Sequence, residues 1–300
     1  MELSRRRFVL GLAATPALAA PQAEFSSSVN VVSLLVTVRD KSGKFVNELS
    51  QQDFTVAEDG RPQTITYFSR QNDLPLTLGL LVDTSSSQVD VLADELKETV
   101  TFFDQVLRED TDQAFLMSFD RRDYLVQSVT SQRAALEASL RILYDALKSH
   151  REIDGTVLYD TIADAADNTM KKYQGRKALL LMTDGEDTAS RLSFDRAVEA
   201  CQRADTVVYA IGIGAGAARG GQALDALAQK TGGRFFEASG KRTPREIYQT
   251  IEEELRSQYS LGYVPPPGEA RNRTGYHKIR VTVKRPGMSV RTREGYYSGG

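Results

Sequence analysis

Asp83, Ser85 and Ser87 stand at i, i+2 and i+4 where an apolar run, LGLLVDTSSS over residues 78–87, gives out. A strand that delivers Leu78, Leu80, Leu81 and Val82 to a core and leaves it in a tight loop can turn one carboxylate and two hydroxyls toward a common point. All three are hard oxygen donors. So small a count of charged oxygens suits Mg²⁺, which keeps several waters, better than Ca²⁺, which takes roughly six to eight oxygens. The same TSSS would serve as a helix N-cap, because Ser and Thr hydroxyls satisfy the free N–H groups of a first turn. Two later stretches bear on that choice. KALLLMTDG, residues 177–185, again runs an apolar segment into a carboxylate, Asp184, at a glycine turn, and GTVLYDT, residues 155–161, places Thr156 just ahead of a helical pattern. In an open α/β sheet the loops at the carboxyl ends of neighbouring strands converge on one crevice, so Asp83, Ser85, Ser87, Thr156 and Asp184 can share one cation.

The elements that must position these residues follow from periodicity. Between about Leu76 and Gln258, TLGLLVD, QAFLMSFD, DYLVQSV, KALLLMTD, TVVYAIGIG and RFFEAS read as strands, with helices over roughly 88–109, 131–148, 157–173, 193–204, 222–231 and 243–257. That alternation predicts an α/β doubly wound sheet. Runs such as ALLLM and VVYAIGI are those of parallel strands covered on both faces. QAFLMSFD and DYLVQSV are separated only by Arg121 and Arg122, too short for a parallel crossover, so one strand is antiparallel.

In this setting the chain resembles the von Willebrand factor A (VWA) domain family. The family's metal-ion-dependent adhesion site (MIDAS) is Asp-x-Ser-x-Ser, then a Thr, then an Asp, and Asp83, Ser85, Ser87, Thr156 and Asp184 match those positions in order. The resemblance implies a six-stranded sheet with one antiparallel strand, a Mg²⁺ ion with Mn²⁺ or Ca²⁺ as substitutes, and a protein partner whose Asp or Glu carboxylate completes the ion's shell. TGGRFFEAS is similar to the family as well. The phrases DFTVAEDG and YSLGYVPP and the terminal REGYY resemble a bacterial group of secreted VWA-related proteins.

Outside this region both ends read as strands. NVVSLLVTVRD, FVNEL, DFTVAED and TITYF occupy residues 30–69, with KSGK and EDGRPQ as turns, and the last forty residues carry strand-like runs around Leu261, Tyr263, Ile279, Val281, Val283 and Val290, broken at PPPG and RPG. Each end alone makes a thin core with exposed edges, so the expectation is a small β-sandwich built from both, with the α/β unit inserted between them. The expected limits are 1–20 for an export signal, 25–72 and 259–300 for the β segments, and 74–258 for the VWA unit.

The first twenty residues, MELSRRRFVLGLAATPALAA, join a basic cluster to a short apolar segment and small residues. Ser4-Arg5-Arg6-Arg7-Phe8-Val9 resembles a twin-arginine export signal, with Ala17-Leu18-Ala19 or Leu18-Ala19-Ala20 as the cleavage site. The stretch from Phe8 to Ala20 contains Pro16 and falls short of the roughly 20 residues a spanning helix needs. The expectation is a mature chain outside the cytoplasmic membrane, periplasmic or extracellular, with no membrane span.

Removing Arg5, Arg6, Arg7 and Glu2 with that signal would move the net charge from −2 to −4. No basic face for nucleic acid is implied. The single cysteine, Cys201, cannot form an internal disulfide and reads as a buried thiol. Gly212-Ile213-Gly214-Ala215-Gly216-Ala217 has the form of a dinucleotide fingerprint, but it follows the fifth strand of the α/β unit rather than the first, so it reads as a glycine loop beside the metal face. A Ser-His-Asp hydrolase would have to use His150 or His277, and no G-x-S-x-G elbow is present. Metal-assisted hydrolysis needs a base, for which Glu186 or Asp187 could serve. The reading is an exported, metal-dependent protein-binding module and not an enzyme; an envelope scaffold with a structural metal is the alternative, and a metal-dependent hydrolase the third.

Overall fold

The N-terminal alternation becomes four strands, β1 (Val32–Arg39), β2 (Phe54–Glu58), β3 (Arg61–Gln63) and β4 (Ile65–Arg70). The computed structural model describes residues 31–70, 74–85, 89–148, 155–214, 217–238, 243–265 and 275–298. The expected export signal, Ser87 and His150 lie outside them. The expected strand FVNEL does not form. Phe45 makes one bridge to Arg39, and the chain then turns inward so that Leu49 is buried, its N–H donated to the Tyr259 hydroxyl at 3.0 Å. A side chain thus takes over the pairing that a ladder would have supplied.

The α/β unit follows as β5 (Leu76–Asp83), α1 (Val89–Val106), β6 (Gln113–Phe119), β7 (Asp123–Thr130), α2 (Arg133–Lys148), α3 (Leu158–Asp164), β8 (Arg176–Thr183), α4 (Phe194–Arg203), β9 (Thr206–Gly212), α5 (Ala217–Thr231), β10 (Phe235–Glu237) and α6 (Pro244–Arg256). Its sheet runs β10-β9-β8-β5-β6-β7, parallel throughout except for the β6/β7 hairpin. Every residue of β5, β8 and β9 is buried, which explains why their sequences are apolar without alternation. Leu78, Leu80 and Val82 face Phe102, Leu140 and Tyr248 of α1, α2 and α6; Leu81 faces the other way, toward Ile162, Cys201 and Leu227 of α3, α4 and α5. Gly79 stands between Phe115 and Leu179 in the register, and a Cβ there would lie 2.4 Å from the Phe115 ring. The single helix expected over 157–173 is α3 continued by a π turn, Ala165–Thr169, and a 3₁₀ turn, Met170–Lys172. Cys201 is fully buried as a free thiol, and burial pushes its pKa up to about 12.

The chain then returns to the first unit with β11 (Tyr259–Tyr263), β12 (Gly275–Val283), β13 (Ser289–Arg291) and β14 (Gly295–Ser298). The two ends interleave in two antiparallel four-stranded sheets, β13-β1-β11-β4 and β14-β12-β2-β3. Between them lies one core of Leu34, Val36, Phe54, Val56, Tyr259, Leu261 and Val281 with their neighbours. The Tyr259 ring packs edge-on to Phe54 at 5.1 Å, and its hydroxyl donates to the Val46 carbonyl at 2.7 Å. Across the junction with the α/β unit, the buried Glu254 of α6 pairs with Arg39 of β1 at 3.2 Å and with Arg234 at 3.5 Å.

Candidate metal centre

The chain passes from β5 to β6 and β7 on one side, then crosses to β8, β9 and β10 on the other, so the carboxyl ends of β5 and β8 flank the point where the winding reverses. An open α/β sheet leaves its crevice there. Asp83 closes β5 with no exposed surface. Its Oδ1 accepts the Ser85 N–H at 3.0 Å and its Oδ2 accepts the Thr183 hydroxyl from the neighbouring strand at 2.6 Å. Thr84 fixes the loop by donating its N–H and its hydroxyl to the Phe119 carbonyl at the tip of β6, at 2.8 and 3.1 Å. Ser85 is buried beside Asp83, while Ser87 falls outside the described residues.

Asp184 follows β8 directly and is buried. Its Oδ1 accepts the Glu186 N–H at 3.0 Å, and the Gly185 N–H goes to the Thr183 hydroxyl at 3.0 Å, so one threonine links both carboxylate loops. Gly185 sits at φ 81° and packs against Gly220, where an added Cβ would lie 2.2 Å from the Asp184 carbonyl oxygen. This corrects the expectation that the glycine loop beginning at Gly212 runs on to a helix start at 222. Helix α5 begins at Ala217, so Arg219, Gly220 and Gly221 are helical, and Gly220 seats the helix on the Asp184 backbone.

Thr156 is buried immediately before α3. Its N–H donates to the Thr188 hydroxyl at 2.9 Å, and its carbonyl accepts the N–H groups of Thr188 and Ala189 at 3.1 and 3.0 Å. The next N–H, of Val157, donates to the Asp120 carbonyl at 2.8 Å. Thr156 is thereby stitched to the turn after Asp184 on one side and to the end of β6 on the other. The structure brings Asp83, Ser85, Thr156 and Asp184 to one end of the sheet.

Burial raises the Asp83 carboxyl to about 6; the hydrogen bonds from Ser85 and Thr183 oppose the shift, and the charge of Asp184 adds to it. Among the described residues no cationic side chain pairs with Asp83. A buried carboxylate with only neutral donors and a second carboxylate nearby matches a hard divalent cation in charge and donor type. Two contributors escaped the sequence reading. Thr183 reads as one more strand residue until the β5/β8 register sets its hydroxyl against Asp83, and Asp120, buried just past β6, was visible only as a carboxylate after an apolar run.

The catalytic alternatives find other partners. Glu186 pairs with Arg219 at 2.6 Å. Asp187 accepts the Ser190 hydroxyl and lies 3.3 Å from the Tyr159 N–H at the start of α3. His277 sits in the sandwich, with Nδ1 2.9 Å from Asp59 and Nε2 2.8 Å from Ser298, engaging neither Ser85 nor Asp83.

No curated protein matches the chain in sequence. Among solved structures it is similar to the proximal thread matrix protein 1 of the mussel byssus, at 16% identity over 64% of this chain and 49% of that one with a TM-score of 0.50; another structure of that protein has zinc in its MIDAS motif. A mutant form of the PilB minor pilin from Streptococcus sanguinis matches at 13% identity and a TM-score of 0.45, over 62% of each chain, so this chain spans less than two thirds of the pilin. Manganese-loaded TRAP protein from Plasmodium vivax matches at 15% identity over 80% of this chain and 99% of that one, with a TM-score of 0.47. The model of the von Willebrand factor type A domain matches residues 77–235, more than half of the chain, and the chain belongs to that family.

Proposed function

We propose that this chain is an exported, non-enzymatic binding module in which Asp83, Ser85, Ser87, Thr156 and Asp184 hold a Mg²⁺-type ion, for which Mn²⁺ or Ca²⁺ can substitute, and a partner protein's Asp or Glu carboxylate completes the site. The observation that carries the reading is the placement of two buried carboxylates, Asp83 and Asp184, at the ends of adjacent parallel strands, with hydroxyl donors on the same loops. When bound, such an ion supplies a Lewis-acidic position that a carboxylate oxygen can fill. The chain's own part is to keep the donors dry and fixed: the Thr183 hydroxyl orients Asp83, and the Thr188 contacts hold Thr156. The turn after Asp184 and the start of α5, with the exposed Arg219, form the rim a partner would meet.

Export by the twin-arginine route rests on Arg5 and Arg6 ahead of a short apolar segment. Among the described residues no helix is long and apolar enough to cross a membrane. Replacing Arg5 and Arg6 by Lys should leave precursor in the cytoplasm, and unchanged processing would overturn the route. For the binding reading, capture of envelope proteins on the immobilised chain should need divalent metal and vanish with chelator. A partner held equally by the native chain and Asp83→Ala would remove the adhesion-site mechanism and favour the scaffold.

A further inference from the structure

At the opposite end of the sheet from Asp83 and Asp184, a cavity of about 330 Å³ opens between the α/β unit and the sandwich. Its floor is the amino end of two parallel strands, with Lys177 of β8 beside Thr206 of β9, and its wall is β1 with Ser33 and Leu35. Leu74 and Val207 add apolar surface, and Arg293, between β13 and β14, closes the rim.

The charges in this cavity do not balance internally. Arg293 is committed: Nη1 donates to Asp205 at 2.7 Å and to the Gln202 carbonyl at 3.0 Å, and Nη2 donates to the Ser33 carbonyl at 2.7 Å. Asp205, the acidic group on this face, is therefore held at the rim by Arg293. Lys177 is 93% buried (7% relative exposure), yet among the described residues its ammonium has neither a hydrogen bond nor an ion pair. Burial lowers its pKa, the charge of Asp205 opposes that shift, and Arg293 adds to it. Its aliphatic stem is buried while the ammonium keeps contact with the solvent of the cavity, so the strand delivers an unpaired positive charge there.

We infer that this cavity binds a small organic carboxylate, with the Lys177 ammonium as its counter-ion and Leu35, Leu74 and Val207 enclosing its apolar part. One free cation calls for one negative charge. A phosphate dianion would want a fork of donors, and both Nη atoms of Arg293 are already engaged with Ser33, Gln202 and Asp205, leaving only the buried Nε. The volume lies at the lower end for small-molecule sites, which points to a short acid. The inference does not depend on the metal-centre reading, because the two sites occupy opposite ends of β8.

The test uses the full chain at neutral pH, with butyrate as the probe and chloride balanced to constant ionic strength. Butyrate should raise the Tm saturably for the native chain and equally for Asp83→Ala, with inorganic phosphate giving a smaller response. Lys177→Met should weaken the butyrate midpoint at least about tenfold. A native chain that shows no saturable response, a stronger response to phosphate, or a Lys177→Met variant that keeps the native midpoint would each overturn the assignment. Should Lys177→Met fail to fold, crystals of the native chain soaked in 2-bromobutyrate decide it: anomalous density beside Lys177 supports the site, and none there overturns it.

Discussion

The Thr183 hydroxyl donates to Asp83 Oδ2 at 2.6 Å, a bond between neighbouring parallel strands that holds the buried carboxylate at the mouth of the crevice. Neutral donors of this kind favour the carboxylate without cancelling its charge, so Asp83 in the metal-free protein still gives up its proton less readily than an exposed carboxyl does.

The sign of the resulting pH dependence follows. Burial raises the folded-state value from 3.8 to about 6, so the metal-free protein holds this proton more tightly than the unfolded chain does. The stability from that proton is fully present below about pH 4 and is lost as pH rises through about 6, by about 3 kcal/mol for a shift of this size. Metal-free Asp83→Asn should lack the loss, and Tm measured from pH 4 to 7 in chelator compares the two. Divalent affinity should fall roughly tenfold per pH unit below about 6, because the ligand must be ionised.

Asp83→Ala should abolish divalent binding in calorimetry, whereas Ser85→Ala and Ser87→Ala should weaken it. The first removes a charge from the ion's shell and the others one neutral donor each. Far-ultraviolet spectra should be unchanged. Equal losses in all three would point to collapse of the loop rather than loss of ligands.

Gly220→Ala separates helix propensity from packing. In an exposed helix the change would stabilise by about 1 kcal/mol. Here the new Cβ would lie 2.2 Å from the Asp184 carbonyl oxygen, so the expected result is destabilisation of about 1–3 kcal/mol and weaker Mg²⁺ binding. A higher denaturant midpoint would show that α5 can shift without cost.

We propose the limits 74–258 for a self-folding VWA domain. A fragment of residues 74–258 should give a cooperative unfolding transition. Residues 22–72 alone should not, since of their strands only β2 and β3 pair with each other, while β1 and β4 pair with β11 and β2 also pairs with β12. A dispersed amide spectrum from the short fragment would contradict this.

What could be read from the residues was whatever burial alone dictates. LGLLV and ALLLM are apolar without alternation because β5 and β8 are covered on both faces, and the carboxylates at their ends, Asp83 and Asp184, stood out against those runs. Contacts set by register were not legible. Thr183 and Asp83 are a hundred residues apart in the chain, and nothing local marks their bond. At Gly220-Gly221 local preference misled, placing the start of α5 at 222, because close approach to Asp184 outweighs the poor helix propensity of glycine. FVNEL failed as a strand for a similar reason: Leu49 enters the core and a tyrosine hydroxyl satisfies its N–H.

Arg70 at the end of β4 is paired with Tyr259 at the start of β11, so the α/β unit leaves and re-enters the sandwich through two residues that face each other across one ladder. Under mechanical load the consequence is a bypass. Tension applied between β1 and β14 crosses the interleaved sheets and reaches the inserted unit only after the β4/β11 ladder has opened. A crevice at the ends of β5 and β8 would thus keep its geometry while the chain around it is pulled, and force traces should show the sandwich yielding first, with the release of the α/β unit as a later and separate event.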